Sequence, residues 1–157
     1  MDVRRVRADE WNVLREVRLR ALAESPEAFA TTFEEARARP EQWWRIWAER
    51  SAESSGQAMF LAWEGAPAGI VGAVAEQGRF RLISMWVDPP ARGRGVGRAL
   101  LEAAVAFAGE AQIVLSVTDG NEAAGRLYER CGFIDTGFAE PLRSGSKLLV
   151  RELRLER

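Results

Sequence analysis

Residues 92–97 read Arg-Gly-Arg-Gly-Val-Gly, placing three glycines and two cations at a junction between two apolar stretches. Upstream, Leu82–Val87 is an apolar run of strand length closed by Asp88-Pro89-Pro90. Downstream, Leu100, Leu101, Ala104, Phe107 and Ala108 recur at helical spacing. A glycine-dense turn entering a helix leaves several backbone N–H groups unpaired beside the positive end of the helix dipole. That arrangement suits a phosphate or pyrophosphate. Residues 88–98 carry three arginines against one aspartate, a local surplus of +2 in a chain of net charge −1. The chemistry expected here is binding of a phosphorylated ligand.

Other glycine-rich loops fit less well. No Gly-Lys pair occurs, so the Gly-Lys-Ser/Thr ending of a P-loop is missing. A dinucleotide fingerprint is approached by Gly93 and Gly95, but Arg98 occupies its third glycine position; Asp119, placed to meet a ribose, keeps that reading open. Against it stand the Pro-Pro segment after the strand and a chain short for a complete doubly wound domain.

A second motif lies at residues 113–133. The apolar strand Ile113–Val117 is followed by the turn Asp119-Gly120 and a short helix. Asn121 is a favoured N-cap and Gly132 a favoured residue just past a helix end. Together the two segments resemble the GNAT superfamily of N-acetyltransferases. The family pattern Q/R-x-x-G-x-G/A is met by Arg92, Gly95 and Gly97. The pattern N-x-x-A-x-x-L-Y-x-x-x-G-F is met by Asn121, Ala124, Leu127, Tyr128, Gly132 and Phe133. The resemblance covers about residues 58–139.

It implies an α/β (α+β) GNAT fold, a mixed, mostly antiparallel sheet of about seven strands flanked by about four helices. It also implies transfer of the acetyl group of acetyl-coenzyme A to a primary amine, on a small molecule or a protein N-terminus. Carried over residue by residue, the backbone of Met85 and Val87, with Trp86 between them, would hold the pantetheine amides. The amides of Gly93, Arg94, Gly95, Val96, Gly97 and Arg98 would hold the pyrophosphate. Asn121 would bond the pantetheine arm, and the Tyr128 hydroxyl would protonate the leaving thiolate. Plainer readings stand beside these: strand packing for Met85 and Trp86, a solvated helix face for Arg94 and Arg98, an N-cap for Asn121, a core aromatic for Tyr128. A non-catalytic acyl-coenzyme A binding module is the alternative function.

The base is the weakest element. Some relatives that modify protein N-termini carry Glu five residues before the motif Asn; here that position is Ser116. Glu34, Glu35 and Glu76 are candidates, as is a water relay. Deprotonating a lysine-like amine at neutral pH costs roughly 4–5 kcal/mol, against about 1 for an α-amine, so a site without a strong base favours the latter.

Composition bounds the rest. Residues 1–157, with 47% hydrophobic content, are expected to form one N-acetyltransferase domain. No apolar run of membrane-spanning length and no leader are seen, and the single Cys131 fits a reducing, cytoplasmic location. With no His and one Cys, no metal site is expected, and His-dependent nucleophilic mechanisms are excluded. A pI near 5.7 argues against nucleic-acid binding. The expected partner is an amine acceptor, with a homodimer left open.

The elements that must position these residues are read as follows. Val3–Val6 is a strand, and Ala8–Ala23 a helix with Trp11, Leu14, Val17, Leu19 and Leu22 inward and Arg15, Arg18 and Arg20 outward. Residues 27–39 are weakly helical and carry Phe29 and Phe33; Pro40 opens a helix to Glu49. Strands follow at Met59–Trp63, Ala68–Ala75 and Phe80–Val87. After the two motifs come strands at Ile134–Ala139 and Lys147–Leu153, joined by the polar loop Glu140–Ser146. Trp43, Trp44 and Trp47 form an apolar helix face, either core or acceptor wall; Phe29, Phe33 and the late loop share the second reading.

Overall fold

The computed structural model describes residues 1–157. Strands β1 (Asp2–Arg5), β2 (Gln57–Glu64), β3 (Ala66–Glu76), β4 (Arg79–Val87), β5 (Ile113–Thr118), β6 (Phe133–Pro141) and β7 (Leu149–Leu155) form one sheet in the order β1-β2-β3-β4-β5-β7-β6. All neighbours are antiparallel except β4 and β5. Five helices accompany it: α1 (Trp11–Glu24), α2 (Phe33–Arg37), α3 (Glu41–Glu53), α4 (Val96–Ala108) and α5 (Glu122–Arg130). The expected mixed seven-stranded fold is present, with the five-residue α2 as the additional helix.

The central strands are apolar without strict alternation because both faces of the sheet are covered. Phe60, Ala62 and Val71 pack with Leu100, Leu101 and Tyr128 on the α4/α5 side. Met59, Leu61 and Ile70 pack with Leu14, Leu22 and Trp44 on the α1/α3 side. Adjacent residues of one strand thus feed opposite cores. The β3–β4 hairpin closes at Gln77-Gly78, both with positive φ (51° and 80°), the requirement of a type I′ turn.

Several boundaries differ from expectation. The first helix begins as a 3-10 turn at Ala8–Glu10, and α3 continues to Glu53. β6 runs on through Glu140 and Pro141, and β7 lies at Leu149–Leu155 rather than Lys147–Leu153. Glycine at 145 and serines at 144 and 146 leave residues 147–148 in the turn rather than the ladder. Arg18 departs furthest: it points inward, 9% exposed, four residues from both Leu14 and Leu22. Arg20 is half-buried rather than outward, pairing with Asp88 at 3.1 Å and donating to the Pro67 carbonyl at 3.0 Å.

One ion pair ties the chain start to this frame. Arg4 donates twice to Glu10, both at 2.9 Å, and the Glu10 carboxylate also accepts the Arg7 amide at 2.9 Å. The Arg4 hydrogen bond holds the Glu10 carboxyl below its ordinary value of 4.5. A depressed pKa stabilises the fold above the unfolded value, and that contribution disappears as pH falls through the folded one. Glu10→Gln is therefore expected to cost about 1.5–3 kcal/mol at pH 7 by urea titration. The loss should shrink below about pH 4; a loss that stays constant with pH would assign the effect to packing.

Candidate active site

The parallel seam between β4 and β5 holds only two residue pairs, Phe80 with Ile113 and Arg81 with Val114. Beyond them the strands part. The cause lies on β4: Ile70 pairs with Trp86 but Gly72 with Ile83, so Ser84 and Met85 together stand opposite Val71. Ser84 takes φ 61°, and a bulge of this kind bends and over-twists the strand that carries it. Gly72 completes the device, since a Cβ there would collide with the Met59 sulfur and meet Ile83 at 2.9 Å. The gap opens into a cavity of about 980 Å³.

Along the β4 wall, the Asp88 amide donates to Ala68 on β3 at 2.8 Å. Strand alternation then turns the polar groups of Val87 and Met85 toward the gap. The Val87 carbonyl is not free, because Arg92 Nε donates to it at 2.9 Å. Trp86 buries its ring on the α1 side, where Nε1 donates to Glu24 at 2.9 Å. Glu24 also accepts from Arg92, joining the end of α1 to β4 and to the glycine loop.

In that loop Gly93 (φ 78°) and Gly95 (φ 84°) are left-handed, and a Cβ on either would meet nothing within 4 Å. Glycine is needed at these two positions for conformation. Gly97 is needed for space: a Cβ there would lie 2.9 Å from Leu127 and 3.2 Å from Met85. The backbone amides of Gly93 through Arg98 donate to no backbone acceptor, leaving six consecutive N–H groups at the start of α4. The charge surplus counted along residues 88–98 is answered in space. Arg92 pairs with Glu24, Arg94 with Glu64 at 2.9 Å and Arg98 with Glu102 at 3.1 Å. The backbone, more than these side chains, offers unspent donors here.

On the facing side Asn121 caps α5, its Oδ1 accepting the Ala124 amide at 3.3 Å. Tyr128 is 5% exposed, with its ring edge-on to Phe133 at 6.0 Å, and it also lines the cavity. The core-aromatic reading and a cavity position therefore coexist. Burial pushes the phenol pKa up and no hydrogen bond contributes to the shift, so the hydroxyl keeps its proton at neutral pH.

The far end is walled by Phe29–Thr31, Trp43, Trp47, Arg18 and Arg39. Trp44, fully buried, belongs to the core instead, and Phe33 packs against the α1/α3 core without reaching the cavity. The tryptophan face thus divides between the two roles. Arg143 of the 140–146 loop donates to the carbonyls of Pro26, Phe29 and Ala30 at 3.2, 2.7 and 3.1 Å. Thr118 donates to Glu27 at 2.7 Å. The late loop reaches the site by holding this wall rather than by forming it.

No Asp or Glu lines the cavity, whereas seven arginines do. Glu34 and Glu35 lie outside it, Glu35 engaged with Thr32 in the capping box of α2. Glu76 is paired with Arg81 at 2.9 Å. Ser116 reaches the cavity, but its Oγ accepts from Arg81 at 3.2 Å. Arg18 is the residue sequence reasoning missed; its place four residues from two buried leucines was the available signal.

A model of the acetyltransferase (GNAT) family matches residues 18–133, which span both motifs. The chain belongs to that family. The mycothiol acetyltransferase of Thermobispora bispora is 36% identical over 118 residues, covering 73% of this chain. This chain spans 39% of that relative's length. A GNAT acetyltransferase of Streptococcus pneumoniae superposes with a TM-score of 0.78 at 21% identity, covering 98% of this chain and 97% of the other. The putative acetyltransferase yncA of Salmonella typhimurium, solved with its cofactor acetyl-CoA, also gives 0.78, at 20% identity over 99% and 93%. At such identities these structures establish the shared fold.

Proposed function

We propose that residues 1–157 form one N-acetyltransferase domain that moves the acetyl group of acetyl-coenzyme A to a primary amine by direct attack. The observation that carries this reading is the run of six unpaired amides at the mouth of a strand gap that also holds a protonated phenol. The amides of Gly93, Arg94, Gly95, Val96, Gly97 and Arg98 receive the pyrophosphate, where several charge-assisted bonds act together at about 1.5–3 kcal/mol each. The pantetheine arm lies against the open edge of Met85–Val87, with Asn121 across from it. Trp86 lies between Met85 and Val87 without a polar contact of its own to the arm, because its backbone is paired with Ile70 on β3 and its ring is committed to Glu24. Of the seven lining arginines, Arg18, Arg39 and Arg130 make no salt bridge, and that residual positive charge suits a polyanionic coenzyme.

The amine nitrogen attacks the thioester carbonyl, the new N–C bond replaces the C–S bond, and Tyr128 gives its proton to the departing sulfur. The phenolate regains a proton from solvent or from the acetylated nitrogen. No carboxylate is at hand to take the amine's proton. A cationic wall itself disfavours the ammonium form, which lowers the amine pKa and lets it enter ready to react. The missing base favours an acceptor of the α-amine type, whose deprotonation costs less. The same lack of a base is what favours the alternative, a non-catalytic acyl-coenzyme A binding module.

Both parts are measurable. Acetyl-coenzyme A at about 100 times its dissociation constant should stabilise the fold by roughly 2.7 kcal/mol, with NAD and ATP doing much less. A larger shift with NAD would restore the dinucleotide reading. Thiol release from acetyl-coenzyme A, screened over small amines and peptide N-termini, should identify turnover. Coenzyme binding with no release across that screen would favour the binding module.

A further inference from the structure

Arg18 is an anomaly in energetic terms. Its side chain leaves α1 on the inward face, 9% exposed, with its guanidinium 4.8 Å from the Phe29 ring centroid. Nη1 is buried with no hydrogen-bond partner, and the one nearby charge acting on it is the cation of Arg39. Burial lowers its pKa to about 10, which still leaves it charged at neutral pH. A desolvated, unpaired cation is among the costlier things a fold can retain. Stacking on one aromatic ring offsets only a part.

Nothing in the protein answers this charge, and the group lines the cavity. Glu24, which anchors Arg92, lies six residues further along α1, about 9 Å away at the helical rise. The walls around Arg18 are aromatic, with Phe29, Trp43 and Trp47 lining the same end. Arg39, half-buried and 4.0 Å from the Trp43 ring centroid, makes no salt bridge, though Glu35 lies within its Coulombic reach.

We infer that Arg18 is an acceptor-binding residue: the amine acetylated by this protein carries a carboxylate, which the planar guanidinium of Arg18 takes as a bidentate ion pair beside the Phe29–Trp43–Trp47 wall. One desolvated positive charge matches one carboxylate, and the aromatic wall suits an apolar body attached to it. An amino acid or a compact amino-carboxylate meets both demands. This rests on the acetyl-transfer reading for the word acceptor, but not for the anion site itself.

The test uses phenylacetate and phenylacetamide as probes, titrated into the whole chain with and without coenzyme A and followed by tryptophan fluorescence, since Trp43 and Trp47 line the site. Phenylacetate should bind at least about tenfold tighter than the amide, and that preference should vanish in Arg18→Gln and survive in part in Arg18→Lys. Arg18→Gln should leave coenzyme A affinity unchanged and raise the melting temperature, because it removes an uncompensated buried charge. Equal affinity for acid and amide, no phenylacetate binding, or unaltered binding in Arg18→Gln would each overturn the inference. So would a fall in coenzyme A affinity, which would assign the guanidinium to the coenzyme. If Arg18→Gln does not fold, the acid–amide comparison on the unaltered protein and Arg18→Lys decide. Phenylacetate discrimination in a protein that binds no coenzyme A would keep the anion site and discard acetyl transfer.

Discussion

Tyr128→Phe is expected to lower kcat by about 10²–10⁴-fold, the range contributed by general acid catalysis, once an acceptor is known. The substitution keeps the ring that meets Phe133 edge-on at 6.0 Å and deletes only the hydroxyl. That hydroxyl lies on the cavity wall with no hydrogen bond shifting its pKa, so its removal should leave the melting temperature unchanged. Coenzyme affinity should hold as well, because the proposed phosphate contacts come from residues 93–98. Activity and stability are thereby separated. A residue that merely fills the core would show nearly normal turnover with the same unchanged melting temperature, so turnover is the readout that decides. Wild-type turnover in Tyr128→Phe, with chemistry shown to be rate-limiting, would remove the general-acid role.

Gly95→Asp should weaken coenzyme binding by about 10²–10⁴-fold, the loss of two or so charge-assisted bonds. Gly95 is exposed, left-handed and surrounded by open space, so the fold accommodates a side chain apart from the strain of its φ of 84°. The carboxylate would stand where the coenzyme pyrophosphate is proposed to sit. Gly95→Ala supplies the control, carrying the same backbone strain, about 1–2 kcal/mol, without charge. Calorimetric titration of acetyl-coenzyme A into both should show Ala binding well and Asp binding hardly at all. Equal weakening would point to a distorted loop, and no weakening in a folded Gly95→Asp protein would place the phosphates elsewhere.

The parts of this molecule legible in its sequence are those fixed by neighbours along the chain. Gly93 and Gly95 are left-handed where the turn demands it, and Asn121 caps α5 as its type and position imply. Strand and helix order followed from periodicity. What could not be read depends on residues far apart. The partners of Arg92 and Arg94 are Glu24 and Glu64, 68 and 30 residues away, so a charge count along the chain overstated the loop's free cations. The insertion of β7 between β5 and β6 is a choice of sheet edge that no local pattern encodes. Ser84 with φ 61° carries no signal, since serine seldom adopts it; the collision that Gly72 avoids with Met59 becomes visible only once the strands are paired. Arg18 points inward because its helical phase, four residues from Leu14 and Leu22, outweighs the outward preference of a charged side chain.

That every charged side chain lining the cavity is an arginine has one more consequence. A protein that holds an activated acyl group, as proposed for this one, risks modifying itself, and the usual victim would be an amine on its own surface. A guanidinium stays protonated and offers no lone pair to a thioester, whereas a lysine crowded by other cations would shed its proton and become a nucleophile. Of the 22 basic side chains in this chain only Lys147 is an amine, and it lies outside the cavity. The site thus carries positive charge for its ligands while offering them no competing acceptor amine of its own.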